Sequence, residues 1–152
     1  MKVREIMSEE VAFVAPGATL REAAEKIRDR GIGCLVVTDG NRLVGIVTDR
    51  DLTCRGLAEG RDPEVTTVGE IMSIHVSCCR DDESVVTAAR QMERERIRRL
   101  PLLDREERVV GLLSLSDLAR IAPHRLSGEV LEVVSKAKAQ ATTPRHRRRP
   151  ID

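Results

Sequence analysis

The sequence predicts a mixed α/β (α+β) fold in which two pseudo-symmetric βαββα repeats pack as one module. Three observations predict it. The same order of motifs occurs twice in the chain, and each copy combines short apolar runs with amphipathic segments. Hydrophobic residues make up 41% of the 152 residues. A chain of this length can bury about two thirds of its unfolded surface. Because it has no Trp, no Tyr and one Phe, its core must be aliphatic.

The beginning and end of each copy define the repeat. Val3 to Ser8 (Val-Arg-Glu-Ile-Met-Ser) returns 65 residues later as Val68 to Ser73 (Val-Gly-Glu-Ile-Met-Ser). After one inserted residue, Gly45 to Leu52 corresponds to Gly111 to Leu118. Two copies are too few for a solenoid, so they predict two pseudo-symmetric halves.

Each copy predicts elements in the order β-α-β-β-α. The first copy predicts a strand over Val11 to Val14, a helix from Leu20 that ends at Gly31, strands over Cys34 to Thr38 and Arg42 to Val47, and a helix over Asp49 to Leu57. The second predicts a strand over Val76 to Cys79, a helix from Val85, strands over Leu100 to Leu103 and Arg108 to Leu113, and a helix over Ser116 to Ile121. Thr19 and Ser84 can cap the first helix of each copy, and apolar residues at helical spacing follow both.

These elements predict four segments: a first repeat over residues 1–62, a second over 63–125, a C-terminal helix over 126–141 and a disordered basic tail over 142–152. The connection around Gly60 and Pro63 is too short to separate the halves, so they should pack on each other. From residue 136 onward the net charge is +5, whereas the whole chain carries +1.

Composition argues against several partners. With a single Phe and no Trp or Tyr, base stacking on aromatic rings is excluded as a main mode of nucleic-acid binding. The tail, with Arg145 and Arg147 to Arg149, could contact the phosphates of RNA or DNA or an acidic partner; the alternative is a solubilising end. No apolar run reaches the ~20 residues of a membrane span, and the N-terminus does not resemble a signal peptide, so we expect a cytoplasmic protein.

The local sequence of Gly45 to Leu52 predicts a phosphate-binding site. Thr48 follows an apolar strand at the first turn of a predicted helix, where its hydroxyl, free backbone N–H groups and the helix dipole suit a phosphate. Asp51 offers a carboxylate on nearly the same face. The alternative is that Thr48 is only an N-cap and Asp51 only a favourable first-turn acid.

Catalytic and metal sites are not predicted. Cys34, Cys54, Cys78 and Cys79 lack paired metal-ligand spacing, and adjacent cysteines on a strand face opposite ways, which argues against a site with His75. A redox role of Cys78 and Cys79 stays open. Since the three histidines are scattered, we do not expect an enzyme.

Taken together, three features resemble the tandem cystathionine β-synthase domains, known as CBS pairs or Bateman modules. They are the doubled Glu-Ile-Met-Ser, the run Ile97 to Asp104 (Ile-Arg-Arg-Leu-Pro-Leu-Leu-Asp), and two Gly-aliphatic-aliphatic-Ser/Thr-x-x-Asp motifs. The resemblance spans Val3 to about Ala122. In size and plan the chain is similar to small stand-alone bacterial CBS-pair proteins, including those linked to stress and dormancy.

The resemblance implies clefts between the halves that hold an adenine nucleotide, AMP, ADP or ATP, as a regulatory ligand and not as a required cofactor. In such clefts the motif Asp binds the ribose hydroxyls and the Ser/Thr lies by the phosphate. The first site would consist of Thr48, Asp51, Arg98, Arg99, Ile46 and Val47, and a second, weaker one of Ser114, Asp117 and Arg50. We expect the first to bind better, because Arg98 and Arg99 would reach its phosphate.

The resemblance further implies a homodimer whose conformation transmits ligand binding, with the helices Asp49 to Leu57 and Ser116 to Ile121 as candidate interfaces. The alternative is a dimeric interaction scaffold that needs no ligand and binds an unidentified protein partner, and whose basic tail could contact nucleic acid.

Overall fold

The computed structural model describes residues 1–121 and 124–141, without the side chains of residues 126–127 and 137–141. The predicted tail at residues 142–152 lies outside the described residues.

Two three-stranded sheets form the two halves, and each has a parallel and an antiparallel pairing. The strands are β1 (Phe13–Val14), β2 (Cys34–Asp39), β3 (Arg42–Thr48), β4 (Cys79–Arg80), β5 (Arg99–Leu103) and β6 (Val109–Ser114). The α-helices are α1 (Leu20–Arg30), α2 (Asp49–Asp51), α3 (Val68–Ile71), α4 (Val85–Glu95), α5 (Leu115–Ile121) and α6 (His124–Ala141). The predicted α/β repeat architecture is thereby confirmed.

The predicted caps of the first helix in each half are confirmed. Thr19 Oγ1 accepts a hydrogen bond from the Glu22 amide at 3.2 Å, and Ser84 Oγ accepts one from the Thr87 amide at 3.0 Å. Gly31 ends α1 in the left-handed conformation with φ 61°. Arg96 occupies the corresponding position after α4 with φ 57°, where a side chain costs more than glycine does.

The first strand of each half is shorter than predicted, because the chain crosses between the halves just before it. Ser8 exchanges two backbone hydrogen bonds of 3.0 Å with Leu112 of β6, and Ser73 exchanges bonds of 2.9 and 3.0 Å with Ile46 of β3. Pairing with the half's own sheet begins only at Phe13 and at Cys79.

The predicted helix over Asp49 to Leu57 is not a regular α-helix. After α2 the chain forms a π-helical turn over Leu52–Gly56 and a 3₁₀ turn over Leu57–Glu59. The wide turn seats buried Gly56 against α1, where a Cβ would lie 2.9 Å from Leu20 Cδ1. The C-terminal helix begins at His124, two residues earlier than predicted, and α5 begins at Leu115, one residue earlier.

The segment that begins each repeat, here called its lead-in (Val3 to Ser8 and Val68 to Ser73), packs in the hydrophobic core of the other half. Val3 and Ile6, at the beginning of the first repeat, pack in the core of the second sheet with Met92 and Leu100. Val68 and Ile71, at the beginning of the second repeat, pack with the first sheet. The halves are therefore joined through their cores, which agrees with the expected packing of one half on the other.

Candidate functional site

A cleft of about 480 Å³ lies where β3 ends, β5 begins and the segment after α3 crosses between them. This volume falls within the range of roughly 300–1,000 Å³ for small-molecule sites. The lining side chains are polar, cationic and aliphatic: Ile46, Thr48, Asp49, Arg50, Ser73, His75, Val76, Ser77, Ile97, Arg98 and Arg99. Of the residues predicted for the first site, Thr48, Ile46, Arg98 and Arg99 line this cleft.

Thr48 and Asp51 form a capping box at the edge of the cleft. Asp51 Oδ2 accepts hydrogen bonds from the Thr48 amide at 2.9 Å and from the Thr48 hydroxyl at 3.0 Å, and Thr48 Oγ1 accepts one from the Asp51 amide at 3.2 Å. The predicted N-cap geometry is therefore present. Asp51, which the resemblance implied for the same site, does not line the cleft, and its Oδ1 lies 3.8 Å from Arg55 Nε. Val47 is fully buried in the core below.

Three arginines give the first cleft a positive wall. The guanidinium groups of Arg50, Arg98 and Arg99 make no hydrogen bond or ion pair with any residue that the structure describes. The carboxylate on this wall belongs to Asp49, and its Oδ2 and Arg99 Nη2 both face Gly33, 3.2 and 3.5 Å from the position of a Cβ there. Cations outnumber carboxylates, so the cleft favours an anion.

Ser114 and Asp117 of the second motif form the same capping box, and here both oxygens of the carboxylate accept hydrogen bonds. Asp117 Oδ2 accepts hydrogen bonds from the Ser114 amide at 2.8 Å and hydroxyl at 2.6 Å, and Asp117 Oδ1 accepts one from Arg120 Nη2 at 3.0 Å. Asp117 is only 9% exposed. Both of its carboxylate oxygens are engaged, whereas Asp51 Oδ1 has only the more distant Arg55.

Strand register decides which cations lie near each motif. Arg99 is the first residue of β5 and pairs directly with Ser114, the last of β6. Arg98 and Arg99 therefore line a second cavity of about 380 Å³ beside Ser114, as well as the first cleft. Arg50, which the sequence assigned to the second site, lies in the first cleft beside Thr48.

Sequence reasoning missed two contributions to these walls. Ser73, His75 and Ser77 line the first cleft, and their position directly after the repeated Glu-Ile-Met could have indicated this. Gly128 and Leu131 of α6 line the second cavity. The repeat contains no counterpart of α6, so it carried no signal for them.

The cysteines differ in their burial and therefore in their acidity. Burial raises the pKa of the Cys34 thiol to about 11 and that of Cys79 to about 12. Burial also raises the pKa of half-buried Cys78, while Cys54 is exposed. Since the thiolate is the reactive form, the Cys78–Cys79 pair is poorly suited to redox chemistry.

The described residues offer neither a metal-binding cluster nor a helix that could span a membrane. Within residues 1–121 and 124–141, no group of three or more His, Cys, Asp or Glu side chains is arranged to hold a metal ion. None of the helices there has the length and apolarity that a bilayer crossing requires.

The repeated halves match one known family. The CBS domain family matches residues 3–55 and again residues 68–124. The chain belongs to the CBS domain family. As a CBS pair, it is similar to the CBS domain-containing protein YhcV of Bacillus subtilis, at 37% identity over 77% of this chain and 82% of that protein. It is 33% identical to Hypoxic response protein 1 of Mycobacterium tuberculosis, over 91% of this chain and 97% of that protein.

Solved structures of CBS pairs share this fold. Hypoxic Response Protein I, crystallised with two coordinated zinc ions, superimposes with a TM-score of 0.73 at 35% identity over 81% of this chain and 100% of that one. The CBS pair of protein MJ0100, in complex with 5′-methylthioadenosine and S-adenosyl-L-methionine, gives 0.71 at 30% identity over 80% and 94%. PAE2072 of Pyrobaculum aerophilum, complexed with AMP, gives 0.72 at 25% identity over 89% and 99%.

Proposed function

We propose that this CBS pair is a regulatory, non-catalytic module that binds an adenine nucleotide in the first cleft. In the proposed complex, Thr48, Arg98 and Arg99 hold the phosphate, and Ile46 with neighbouring aliphatic and backbone groups holds the adenine. The ribose hydroxyls reach Asp51 Oδ1 past Thr48. Cytoplasm, where adenine nucleotides are present and thiols stay reduced, is the proposed compartment.

The observation that carries this proposal is a cleft of about 480 Å³ lined by Arg50, Arg98 and Arg99, whose guanidinium groups form no hydrogen bond or ion pair with the described residues. Guanidinium groups that are not engaged in a protein hydrogen bond or ion pair are available to a ligand, and each charge-assisted bond to a phosphate contributes about 1.5–3 kcal/mol. Aliphatic Ile46, Val76 and Ile97 on the same wall supply apolar contact for a base.

Relatives support the ligand class, and the charges of this chain refine it. MJ0100 was crystallised with methylthioadenosine and S-adenosyl-L-methionine, and PAE2072 with AMP. All three ligands contain adenosine. Because Arg50, Arg98 and Arg99 face a single wall carboxylate, on Asp49, the cleft of this chain favours the phosphate of AMP over a sulfonium cation.

The proposed output is a change in a homodimer. Leu57, which is 77% exposed, and Ile121, which is 42% exposed, lie at the ends of the two predicted interface helices. Burying them against a second copy would remove apolar surface from water. The nucleotide can shift the dimer only through a difference in affinity between two of its states.

A ligand-independent interaction scaffold is the second candidate. Leu57, Val65 and Ile74 are 77%, 71% and 63% exposed, and a protein partner that covered them would remove apolar surface from water. Under this alternative, light scattering shows a dimer of the same mass and shape with and without nucleotide. The regulatory proposal requires a nucleotide-dependent change.

Calorimetric titration of the whole chain with AMP tests the proposal. We expect one saturable site, a loss of at least about tenfold in affinity for Arg98→Gln, and weaker binding of S-adenosylmethionine. Arg105→Gln is the matched control, because Arg105 is an exposed arginine in the β5–β6 turn. Absence of binding at millimolar AMP, ADP and ATP would refute the proposal.

A further inference from the structure

The second cavity adjoins the first cleft but has a different roof. Its volume is about 380 Å³, and its walls come from the beginning of β5, the junction of β6 with α5, and α6. Arg98 and Arg99 line both spaces. Both spaces therefore present the same two cations, and a phosphate chain bound to these arginines would border on each of them.

The charges of the second cavity favour an anion. Among the described residues that line it there is no carboxylate; the polar groups include Arg98, Arg99 and the hydroxyls of Ser114 and Ser116. Behind Ser114, the carboxylate of Asp117 is already bonded to Ser114 and Arg120. The first cleft, in contrast, contains Asp49 on its wall. Phosphate oxygens are better suited to the second cavity than a base or a sugar, because it offers hydrogen-bond donors without a competing carboxylate.

Helix α6 is fixed above this cavity. Val130 is fully buried and Val134 is 4% exposed in the core of the second half. Glu129 Oε2 lies 2.8 Å from Arg90 Nη1 of α4. These contacts hold the cavity-lining face of α6 in place.

A glycine keeps the space under α6 open. Gly128 lies inside α6, where glycine is less favourable than alanine. It lines the cavity, and no described atom lies within 4 Å of the position that a Cβ would take there. A large side chain at this position would enter the cavity without forcing the helix aside.

We propose that the second cavity takes the outer phosphates of a nucleoside di- or triphosphate whose adenosine occupies the first cleft. This inference rests on the proposed function and extends it. Arg98 and Arg99 bind the phosphate that joins the two spaces, and the hydroxyls of Ser114 and Ser116 donate hydrogen bonds to the terminal phosphates. Affinity then rises with phosphate number, from AMP through ADP to ATP, and α6 makes the module sensitive to that number.

Calorimetry of the full chain with AMP, ADP and ATP tests the inference. In the unmodified chain we expect ATP to bind at least about tenfold more tightly than AMP. Gly128→Leu should fill the cavity, leave AMP affinity within twofold and remove the ATP advantage. Gly128→Ala, which also favours the helix but adds one methyl group, should keep most of the advantage.

A second variant reports on the same cavity without a change in volume at α6. Ser116→Glu adds a carboxylate at an exposed position in the first turn of α5, where acidic residues are favourable, so the fold should persist. It should reduce ATP affinity much more than AMP affinity. Thermal unfolding of each variant verifies that it is folded.

The outcomes separate this inference from the proposed function. If AMP binds but ATP binds no more tightly, or if Gly128→Leu and Ser116→Glu lower AMP and ATP affinity equally, the second cavity has no phosphate role while the first cleft remains a nucleotide site. If no nucleotide binds, the proposed function itself fails.

Discussion

Met72 packs against the backbone of Gly45, and this contact joins the lead-in of the second repeat to the last strand of the first. A Cβ at Gly45 would lie 2.5 Å from Met72 Sδ and 2.9 Å from the Ser73 carbonyl oxygen. The pseudo-symmetric contact joins Met7 to Gly111, where the nearest atoms all belong to the flexible Met7 side chain. Both glycines therefore contact a methionine side chain, but a side chain added at Gly45 would also meet backbone that cannot move as easily as a methionine.

Gly45→Ala should destabilise the protein more than Gly111→Ala. At Gly45 a backbone carbonyl must move, at a cost of about 1–3 kcal/mol, whereas Met7 can change rotamer at Gly111. Urea unfolding measures both costs. Gly17→Ala is the control, because no described atom lies within 4 Å of its Cβ position and its φ is not positive, so its stability should stay unchanged or rise. Equal losses at Gly45 and Gly111 would contradict this interpretation.

Val3→Ala should loosen the second half of the molecule, although Val3 begins the first repeat. Val3 is fully buried in the core around Met92, and removing two methyl groups there should cost about 2 kcal/mol. Hydrogen exchange should show the loss of protection in α4 and β5, with smaller changes in α1. Val86→Ala, at a position 56% exposed on α4, should change little. Loss of protection confined to α1 and β2 would rule out the packing of Val3 in the core of the second half.

Alkaline pH should destabilise the protein through Cys34. Burial raises the pKa of this thiol from 9.0 to about 11, so above pH 9 the unfolded chain loses the proton while the folded chain keeps it. Below pH 9 the Cys34 thiol is protonated in both states, so it does not make the free energy of unfolding depend on pH. The free energy of unfolding then falls up to pH 11, by on the order of 2–3 kcal/mol.

Urea unfolding between pH 7 and 10.5 measures this fall. Cys34→Ala should make the decline shallower, and a decline of similar size should remain from Cys79, because burial raises the pKa of that thiol from 9.0 to about 12. Cys54→Ala should follow the unmodified protein, since Cys54 is exposed. An identical decline in Cys34→Ala would show that Cys34 is not the cause.

The doubled motif predicted the architecture because both halves follow the same local rules. Thr19 and Ser84 cap the corresponding helices, and Thr48 and Ser114 end the corresponding strands. Local patterns do not show where a segment packs, so the exchange of Val3 and Val68 between the cores was not predicted. The π-helical turn at Leu52–Gly56 depends on tertiary contact of Gly56 with Leu20, which has no local sequence signal.

The candidate site was predictable where it follows the motif and unpredictable where it depends on register. Thr48, Ile46, Arg98 and Arg99 line one cleft, whereas Asp51 and Val47, which the resemblance also implied, do not line it. Their roles in ligand binding stay predictions. The antiparallel pairing of Arg99 with Ser114 gives the second cavity its arginines, and it emerges only when the hairpin is built. The second cavity also needs α6, which lies outside the repeat.

In the proposed complex, an adenine nucleotide binds with its phosphate between Thr48 and Arg98. A crystal structure grown with AMP tests it most directly. We predict density for one nucleotide in the cleft of about 480 Å³, with the phosphate within hydrogen-bond distance of Arg98 or Arg99 and the ribose towards Asp51. An empty cleft at saturating AMP, or AMP bound with its phosphate away from both arginines, would contradict the account.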